Sequence, residues 1–393
     1  MRYAVLIGDG MADEPRAELG GKTPLEAART PHMDAIAAEG ELGLVATIPK
    51  GMSPGSDVAN LCLMGYDPRE SYTGRAAIEA AGMGVELGPG DTAFRMNLVS
   101  IRDGRMEDYS AGAIETEDAR ALVEDLRREI EDGAVRLYPG VSYRHLLVAR
   151  GLPAGELRST PPHDIAGEPV DAHLPRGAGS DFLRDLMLRA RRVLRESPRN
   201  RERAARGKVP ATDIWLWGQG AAMDLTKIPE RYGISGAVIT AVDLVRGIGR
   251  LAGLEVLRVE GATGYLDTNY EGKVGAAAGA LASRDLVYLH VEAPDEASHE
   301  GSLEKKIRAI EDFDARVVGP IRRLRERFED LRILVLPDHA TLLSTKTHDP
   351  RPVPYALSGP GVAGGGPGAF SEAAASGAPV LRGPELFERL VFG

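Results

Sequence analysis

The chain has 393 residues, with 48 basic against 58 acidic side chains, a net charge of −10 and a single cysteine. This length is enough for about two or three domains with their own cores. The excess of acidic over basic residues disfavours binding to nucleic acid or to an anionic membrane. One cysteine excludes an internal disulfide and fits a reducing compartment. The sequence shows neither a signal peptide nor a long apolar span, so we expect a soluble, cytoplasmic enzyme.

The first predicted element is a short strand, RYAVLIG, that ends at Gly8-Asp9-Gly10. An acidic residue between two glycines just after a strand is either part of a turn or a metal ligand. The sequence at this point leaves both interpretations of Asp9 open.

The next informative stretch, GMSPGSDVANLCL, places Ser56 at a turn that begins a helical apolar pattern. Its hydroxyl would lie near free amide protons that suit a phosphate, as a nucleophile requires. A helix N-cap explains the same serine equally well. In TGRAAIEAAG, Arg75 and Glu79 then have helical spacing, which indicates either an ion pair or a substrate-facing arginine.

A separate α+β unit is predicted from the change of pattern after Gly84. Short segments such as TAFRMNLVSI and SYRHLLVAR alternate as antiparallel strands do, with an amphipathic helix between them. The buried strand pattern of ATDIWLWGQG places the end of this insertion near Arg206. Within it, Arg144, His145, His163 and Asp164 are candidates to contact an anionic ligand, although each also fits an ordinary position without such a role.

Two later stretches carry further candidates. DTNYEGKVGAAAGAL places Lys273 at the start of a helix, as a surface lysine or a phosphate clamp. DLVYLHVEAPDEASH predicts a buried strand followed by a helix that begins at Pro294. Asp295 and His299 are four residues apart in that helix, so they share one face and could bind a metal ion or form a solvated ion pair.

The C-terminal stretch LRILVLPDHATLLSTKTHDPRPVPY adds three more ligand-type residues after another predicted strand. The carboxylate and imidazole groups that follow the three strands are Asp9, Asp295, His299, Asp338, His339 and His348. Such a mixture suits Mn²⁺, Zn²⁺ or Fe²⁺ better than Ca²⁺. With the Ser56 hydroxyl the set provides enough ligands for two metal ions.

These motifs together resemble a known family. GDGM, PGSD, TGR, SYRH, DTNYEGK, HVEAPDEASH, PDH and THDPRPVP are similar, in order and spacing over nearly the whole chain, to the cofactor-independent phosphoglycerate mutases of archaeal type, in the alkaline phosphatase superfamily. The resemblance implies an α/β fold with an alkaline-phosphatase-like doubly wound sheet. Residues 1–82 and 207–393 would form the metal-binding catalytic domain, and residues 83–206 an inserted α+β domain that binds substrate and acts as a lid.

The resemblance also implies roles for individual residues. Ser56 would be the phosphorylated nucleophile. One metal ion would be held by Asp9, Ser56, Asp338 and His339, and the other by Asp295, His299 and His348. Lys273 and His163 would assist catalysis, and Arg144, Arg75 and Asp164 would bind the substrate. Mn²⁺ is the first expectation for both ions, with Zn²⁺, Mg²⁺ and Fe²⁺ as alternatives and no organic cofactor.

The implied reaction interconverts 3-phosphoglycerate and 2-phosphoglycerate, but one position departs from the family. Where archaeal mutases carry Arg-Gly, this chain has Trp217-Gly218, and an indole offers one donor and no charge. A homoserine kinase-type transferase on the same metal site is therefore the alternative, although no Walker A or kinase glycine loop is present. A phosphatase or a non-catalytic metal-binding protein is less favoured, because the latter does not need a serine among its ligands.

Overall fold

The computed structural model describes residues 1–393. The strands are β1 Arg2–Gly8, β2 Glu41–Ala46, β3 Asp91–Arg102, β4 Arg105–Asp108, β5 Val135–Val141, β6 Arg144–Arg150, β7 Asp213–Ala221, β8 Gly236–Ile239, β9 Glu255–Leu257, β10 Leu286–Val291, β11 Leu331–Leu336, β12 Ala340–Leu342, β13 Thr347–Asp349, β14 Val353–Ser358 and β15 Val380–Arg382. The helices are α1 Pro24–Ala27, α2 Pro31–Glu39, α3 Ser56–Leu63, α4 Pro68–Ser71, α5 Arg75–Met83, α6 Thr116–Ile130, α7 Ser180–Glu196, α8 Pro198–Ala205, α9 Ile228–Tyr232, α10 Asp243–Leu251, α11 Tyr270–Leu281, α12 Ala293–Glu300, α13 Leu303–Phe313, α14 Gly319–Arg323 and α15 Gly383–Phe392. None of these helices combines the length and apolar character needed to cross a bilayer.

The chain divides into two compact units. The first unit comprises Met1–Tyr72 and Leu225–Gly393, and the second unit comprises Thr73–Asp224. The second unit thus begins earlier and ends later than the insertion of residues 83–206 expected from the sequence. The reason is that α5 packs on β3 and β7 within this unit, whereas the sequence pattern alone made both elements look like parts of the surrounding domain.

An eight-stranded mixed sheet forms the centre of the first unit, in the order β15-β2-β14-β11-β1-β10-β8-β9. β1 lies between β10 and β11 and is parallel to both, with Val5 opposite Tyr288 and Leu334. Every residue of β10 and β11 is buried, as expected of parallel strands covered on both faces. The α/β class predicted from the sequence is confirmed. Three neighbouring parallel strands therefore end at the same edge of one sheet.

The second unit has an antiparallel sheet of five strands, in which β3 pairs with β4, β6 and β7. Its core is an apolar cluster that includes Phe94, Leu122, Leu186 and Trp215 from the sheet and from α6 and α7. This antiparallel sheet with its own helices confirms the α+β character expected of the inserted unit. The pairing of β3 with β7 sets Arg95 opposite Trp217.

Candidate active site

The predicted ligands of the first unit follow the ends of three neighbouring strands. Asp9 comes directly after β1, and Asp338 and His339 come after Pro337 at the end of β11. α12 follows β10 almost at once and carries Asp295 and His299. Ligands in α/β sheets bind outside the carboxyl ends of the strands. The structure therefore assembles at one sheet edge residues that are more than 300 positions apart in the sequence.

Asp9, Asp338 and His339, here named the Asp9 group, offer ligand atoms within 4.8 Å of one another. Nε2 of His339 is 3.5 Å from Oδ1 of Asp9 and 3.6 Å from Oδ2 of Asp338. The Ser56 hydroxyl lies 3.1 Å from the same Nε2 atom. Oδ1 of Asp9 is buried without a hydrogen-bond partner, which is costly for a carboxylate unless a cation neutralises it. The group thus fits a metal ion, with Ser56 beside it.

Asp338 is held in place by donors that the sequence analysis missed. Two backbone amides donate to its Oδ1 atom. Nδ2 of Asn60 donates to its Oδ2 atom at 2.9 Å, and the Tyr288 hydroxyl in turn donates to Oδ1 of Asn60 at 2.6 Å. In the sequence, the only indication of this role for Asn60 is that it follows Ser56 by one helical turn and therefore lies on the same face of the helix. Such outer partners orient a ligand before the metal binds.

Asp295, His299 and His348 form the second cluster, here named the Asp295 group. Nε2 of His299 lies 3.1 Å from Oδ2 of Asp295 and 3.1 Å from Nε2 of His348. Nδ1 of His299 is 2.9 Å from the carbonyl oxygen of Lys346, a residue with φ of +57°. Since that carbonyl can only accept, Nδ1 carries the proton and Nε2 is left to face the group.

The pKa shifts in these groups follow from burial and from neighbouring charge. Burial, followed by the nearby Asp338, raises the pKa of Asp9 well above its usual range. For Asp295, burial acts in the opposite direction but is outweighed by hydrogen bonds from His299 and His348, so its pKa is lowered. The hydrogen bond between Asp295 and His299 in turn raises the pKa of His299 to about 9. The carboxylates are thus crowded, and a cation would relieve that crowding.

Thr341 joins the two groups and was not singled out in the sequence. Its Oγ1 atom donates to Oδ1 of Asp295 at 2.5 Å and lies 3.2 Å from Nδ1 of His339. The rings of His339 and His348 are also close, with centroids 4.1 Å apart. The Asp9 and Asp295 groups are therefore adjacent, as two-metal chemistry requires.

Lys273 is not placed as a clamp for substrate. It is fully buried, and its Nζ atom donates to Oε2 of Glu292 at 2.9 Å and to the carbonyl oxygen of His290. Glu292 lies 3.3 Å from Nδ1 of His290, whose Nε2 atom is 3.4 Å from Oδ2 of Asp9. Burial opposes protonation of His290, but Asp338 and Glu292 outweigh it and raise its pKa to about 9. Lys273 thus supports the Asp9 group through His290 and Glu292, which were not singled out in the sequence.

The substrate-binding candidates lie in the second unit. Nε of Arg75 is 3.1 Å from Oε1 of Glu79, so the helical ion pair is present. Nε2 of His163 is 3.5 Å from Oδ1 of Asp164, and both side chains are exposed. Arg144 is exposed and lies over the ring of Tyr143. His145, in contrast, is buried, and its Nδ1 atom accepts a hydrogen bond from the Gly140 amide at 3.0 Å; it is therefore not placed to contact a ligand.

A series of ring contacts connects two of these candidates. Tyr143 contacts Tyr109, Tyr109 contacts His163, and His163 contacts Trp217, with centroid distances of 6.0, 6.1 and 5.4 Å. The structure therefore brings Arg144 and His163 to one aromatic surface of the second unit. Arg95, which was not singled out in the sequence, contacts both Glu79 and Trp217.

Comparisons with known proteins identify the family to which the chain belongs. The profile of the family described as 2,3-bisphosphoglycerate-independent phosphoglycerate mutase matches residues 37–200. A probable 2,3-bisphosphoglycerate-independent phosphoglycerate mutase of Geobacter sulfurreducens is 57% identical over 91% of this chain and 90% of its own. The mutase of Methanothrix thermoacetophila is 53% identical over the full length of both chains.

Solved structures give the same result. A cofactor-independent phosphoglycerate mutase from Thermoplasma acidophilum is 25% identical, with a TM-score of 0.70 over 99% of this chain and 98% of its own. A protein from Pyrococcus horikoshii is 29% identical, with a TM-score of 0.84 over 99% of this chain and 97% of its own. The chain belongs to the family of 2,3-bisphosphoglycerate-independent phosphoglycerate mutases.

Proposed function

We propose that this protein interconverts 3-phosphoglycerate and 2-phosphoglycerate through a phosphoserine at Ser56. The observation that carries the proposal is the Ser56 hydroxyl 3.1 Å from Nε2 of His339, inside the Asp9 group. A hydroxyl among ligand-type residues is the arrangement that activates a serine as a nucleophile. Relatives that are more than half identical carry the mutase name.

The Asp9 group with Ser56 would hold one divalent cation, and the Asp295 group would hold a second. Mn²⁺ is the first choice for both, since carboxylate and imidazole donors suit it. Such cations make a serine hydroxyl a stronger nucleophile and neutralise the phosphate oxygens during displacement. The hydrogen bonds to Asp338 and the carbonyl contact of His299 hold these ligands in place beforehand.

In the proposed reaction, Oγ of Ser56 attacks the phosphorus of the substrate, and the glycerate hydroxyl leaves with a proton. The other glycerate hydroxyl then attacks the phosphorus of the phosphoserine and loses its proton, while the bond between phosphorus and Oγ breaks. Oγ takes up a proton, so Ser56 is regenerated and the phosphate is returned to glycerate. Ser56 is the first residue of α3, and the amide groups at a helix N-terminus attract an incoming phosphate. Water must be excluded between the two steps, or the phosphoserine is hydrolysed.

We further propose that the second unit supplies the groups that bind substrate: Arg75, Arg144, His163 and Asp164. Arginine suits this role because its guanidinium binds carboxylate and phosphate in two parallel hydrogen bonds. The homoserine kinase alternative has no support from the relatives compared above. The expectations of a cytoplasmic location, and of no nucleic-acid or membrane partner, stay predictions.

Phosphorus NMR tests the proposal directly. Purified protein is incubated with Mn²⁺ and 3-phosphoglycerate, and the appearance of 2-phosphoglycerate is followed against free phosphate. The same preparation is assayed for ATP consumption with and without homoserine. We expect isomerisation with little free phosphate; homoserine-dependent ATP use without isomerisation would overturn the proposal, and release of phosphate alone would make the protein a phosphatase.

A further inference from the structure

Arg95 and Trp217 form a stacked pair on neighbouring strands of the second unit. They are opposite each other in the pairing of β3 with β7, and the Arg95 guanidinium carbon is 3.9 Å from the centre of the indole ring. The indole is fixed, because its Nε1 atom donates to Oδ1 of Asn97 at 3.0 Å. The next residue, Gly218, has φ of +61°, and a Cβ atom there would be only 3.2 Å from Cδ of Arg95. Glycine therefore leaves room for the arginine to lie flat.

The hydrogen bonding of Arg95 is incomplete. Its Nε atom donates to Oε2 of Glu79 at 2.9 Å, but neither of its two terminal nitrogens has a hydrogen-bond acceptor in the protein. Only 11% of the side chain is exposed, so the guanidinium group is largely removed from bulk water. A guanidinium has five N–H donors in one plane, and leaving most of them unsatisfied in a largely buried position is costly. Two parallel donors are thus available to one planar or tetrahedral oxyanion.

The charges around Arg95 also favour an anion. Burial, together with the positive charges of Arg75 and Arg144, lowers its pKa. Glu79 is shared between Arg75 and Arg95, so one carboxylate faces two guanidinium groups. His163 packs against Trp217, the other member of the stacked pair, with the centroids of the two rings 5.4 Å apart. The cluster has a surplus of positive charge that a bound oxyanion would neutralise.

We propose that Arg95, held flat against Trp217, binds an oxyanion of the substrate, either its carboxylate or its phosphate. The inference deepens the proposed function and rests on it for the identity of that substrate. The inference also gives Trp217 a role, because its indole ring supports the guanidinium group of Arg95 from the neighbouring strand. The positive charge that is absent at position 217 is thus supplied at position 95. Cation–π stacking orients the guanidinium and leaves its edge free for hydrogen bonds.

The test compares Arg95→Met with Arg150→Met. Methionine keeps an apolar contact with the indole but removes the donors, and Arg150 is a matched control: it lies on β6 of the same sheet, is 65% exposed and pairs with Asp91. We expect Arg95→Met to raise KM for phosphoglycerate by about tenfold to a hundredfold, the scale of lost charge-assisted hydrogen bonds. Arg150→Met should match the wild type. An unchanged KM in Arg95→Met would overturn the inference while leaving the mutase activity in place.

A binding measurement without catalysis separates this inference from the proposed function. The two tryptophans of the chain, Trp215 and Trp217, both lie in the second unit, so their fluorescence reports on this site. Metal-free protein is titrated with 3-phosphoglycerate, glycerate and glycerol 3-phosphate. With 3-phosphoglycerate we expect a saturable change whose affinity falls by about tenfold to a hundredfold in Arg95→Met and is retained in Arg150→Met. Selective loss of glycerate binding assigns the carboxylate, and selective loss of glycerol 3-phosphate binding assigns the phosphate.

Equal binding of all three compounds by Arg95→Met and wild type would refute the inference, whether or not the protein proves to be a mutase. If Arg95→Met is not folded by circular dichroism, Arg95→Lys replaces it in the same titration. Lysine keeps the charge but has no planar pair of donors. Its binding should be weaker than that of the wild type, and unaltered affinity would again refute the role of the guanidinium.

Discussion

The Ser56 hydroxyl and Nε2 of His339 lie 3.1 Å apart, although 283 positions separate the two residues in the sequence. Their proximity places a nucleophile next to a group of metal-ligand type. Neither residue defines the site by itself.

Replacing Ser56 with alanine should abolish phosphate transfer, since alanine cannot accept phosphate. We expect a loss of about a thousandfold or more in kcat, with the fold unchanged. Phosphorus NMR measures the transfer, and intact-mass spectrometry detects phosphorylated protein in the wild type only. Ser53→Ala is the control, because Ser53 is exposed in the same loop. An inactive Ser53→Ala beside an active Ser56→Ala would show that the nucleophile is misassigned.

Removal of divalent metal should abolish activity and lower the melting temperature. The Asp9 and Asp295 groups crowd carboxylates at the edge of the sheet, and a ligand that binds only the folded state stabilises it. Protein treated with EDTA and then dialysed should regain both properties when Mn²⁺ is added. Full activity in a preparation verified as metal-free would contradict the prediction.

Glu292→Gln should destabilise the protein and weaken metal binding. Glu292 neutralises the fully buried Lys273 at 2.9 Å, and breaking one side of a buried ion pair costs about 3–5 kcal/mol. Since Glu292 also contacts His290 beside Asp9, metal affinity measured by calorimetry should fall by about tenfold to a hundredfold.

Two further variants separate the causes of that loss. Lys273→Met combined with Glu292→Gln should recover part of the stability, because no unpaired charge then remains buried. Glu372→Gln is a matched control: Glu372 accepts hydrogen bonds from Thr23 and from the Asp13 amide, and it forms no hydrogen bond or ion pair with a residue of either metal-ligand group. If Glu372→Gln lowered metal affinity as much as Glu292→Gln, a general loss of stability would be the cause.

Metal binding should strengthen as pH rises. The contact with Asp295 raises the pKa of His299 to about 9, and a histidine must be neutral to bind a metal, so binding releases a proton. The raised pKa stabilises the metal-free fold fully below about pH 6.5, and this contribution is lost as pH rises through about 9. The increase in melting temperature caused by Mn²⁺ should therefore be larger at about pH 8 than at about pH 6. A larger increase at the lower pH would contradict the assignment of His299 as a ligand.

The sequence by itself predicted the candidate ligands from local signals, and its resemblance to a known family implied the α/β class. A strand that ends at Asp9, or a helix that carries Asp295 and His299 on one face, is visible in a few residues. The apolar runs of the three strands are typical of parallel strands covered on both faces, but the pairing itself became known only from the structure. The antiparallel insertion was likewise visible from local signals, although its ends were not, since α5 and β7 belong to it only through packing.

Only the tertiary structure decided how the residues act on one another. Lys273 looked like a surface or clamp lysine, but the packing of α11 against β10 buries its ammonium against Glu292. Trp217 looked like the loss of a charge, but strand pairing sets Arg95 against its ring. Burial and cross-strand register depend on residues far away in the chain, so no local pattern specifies them.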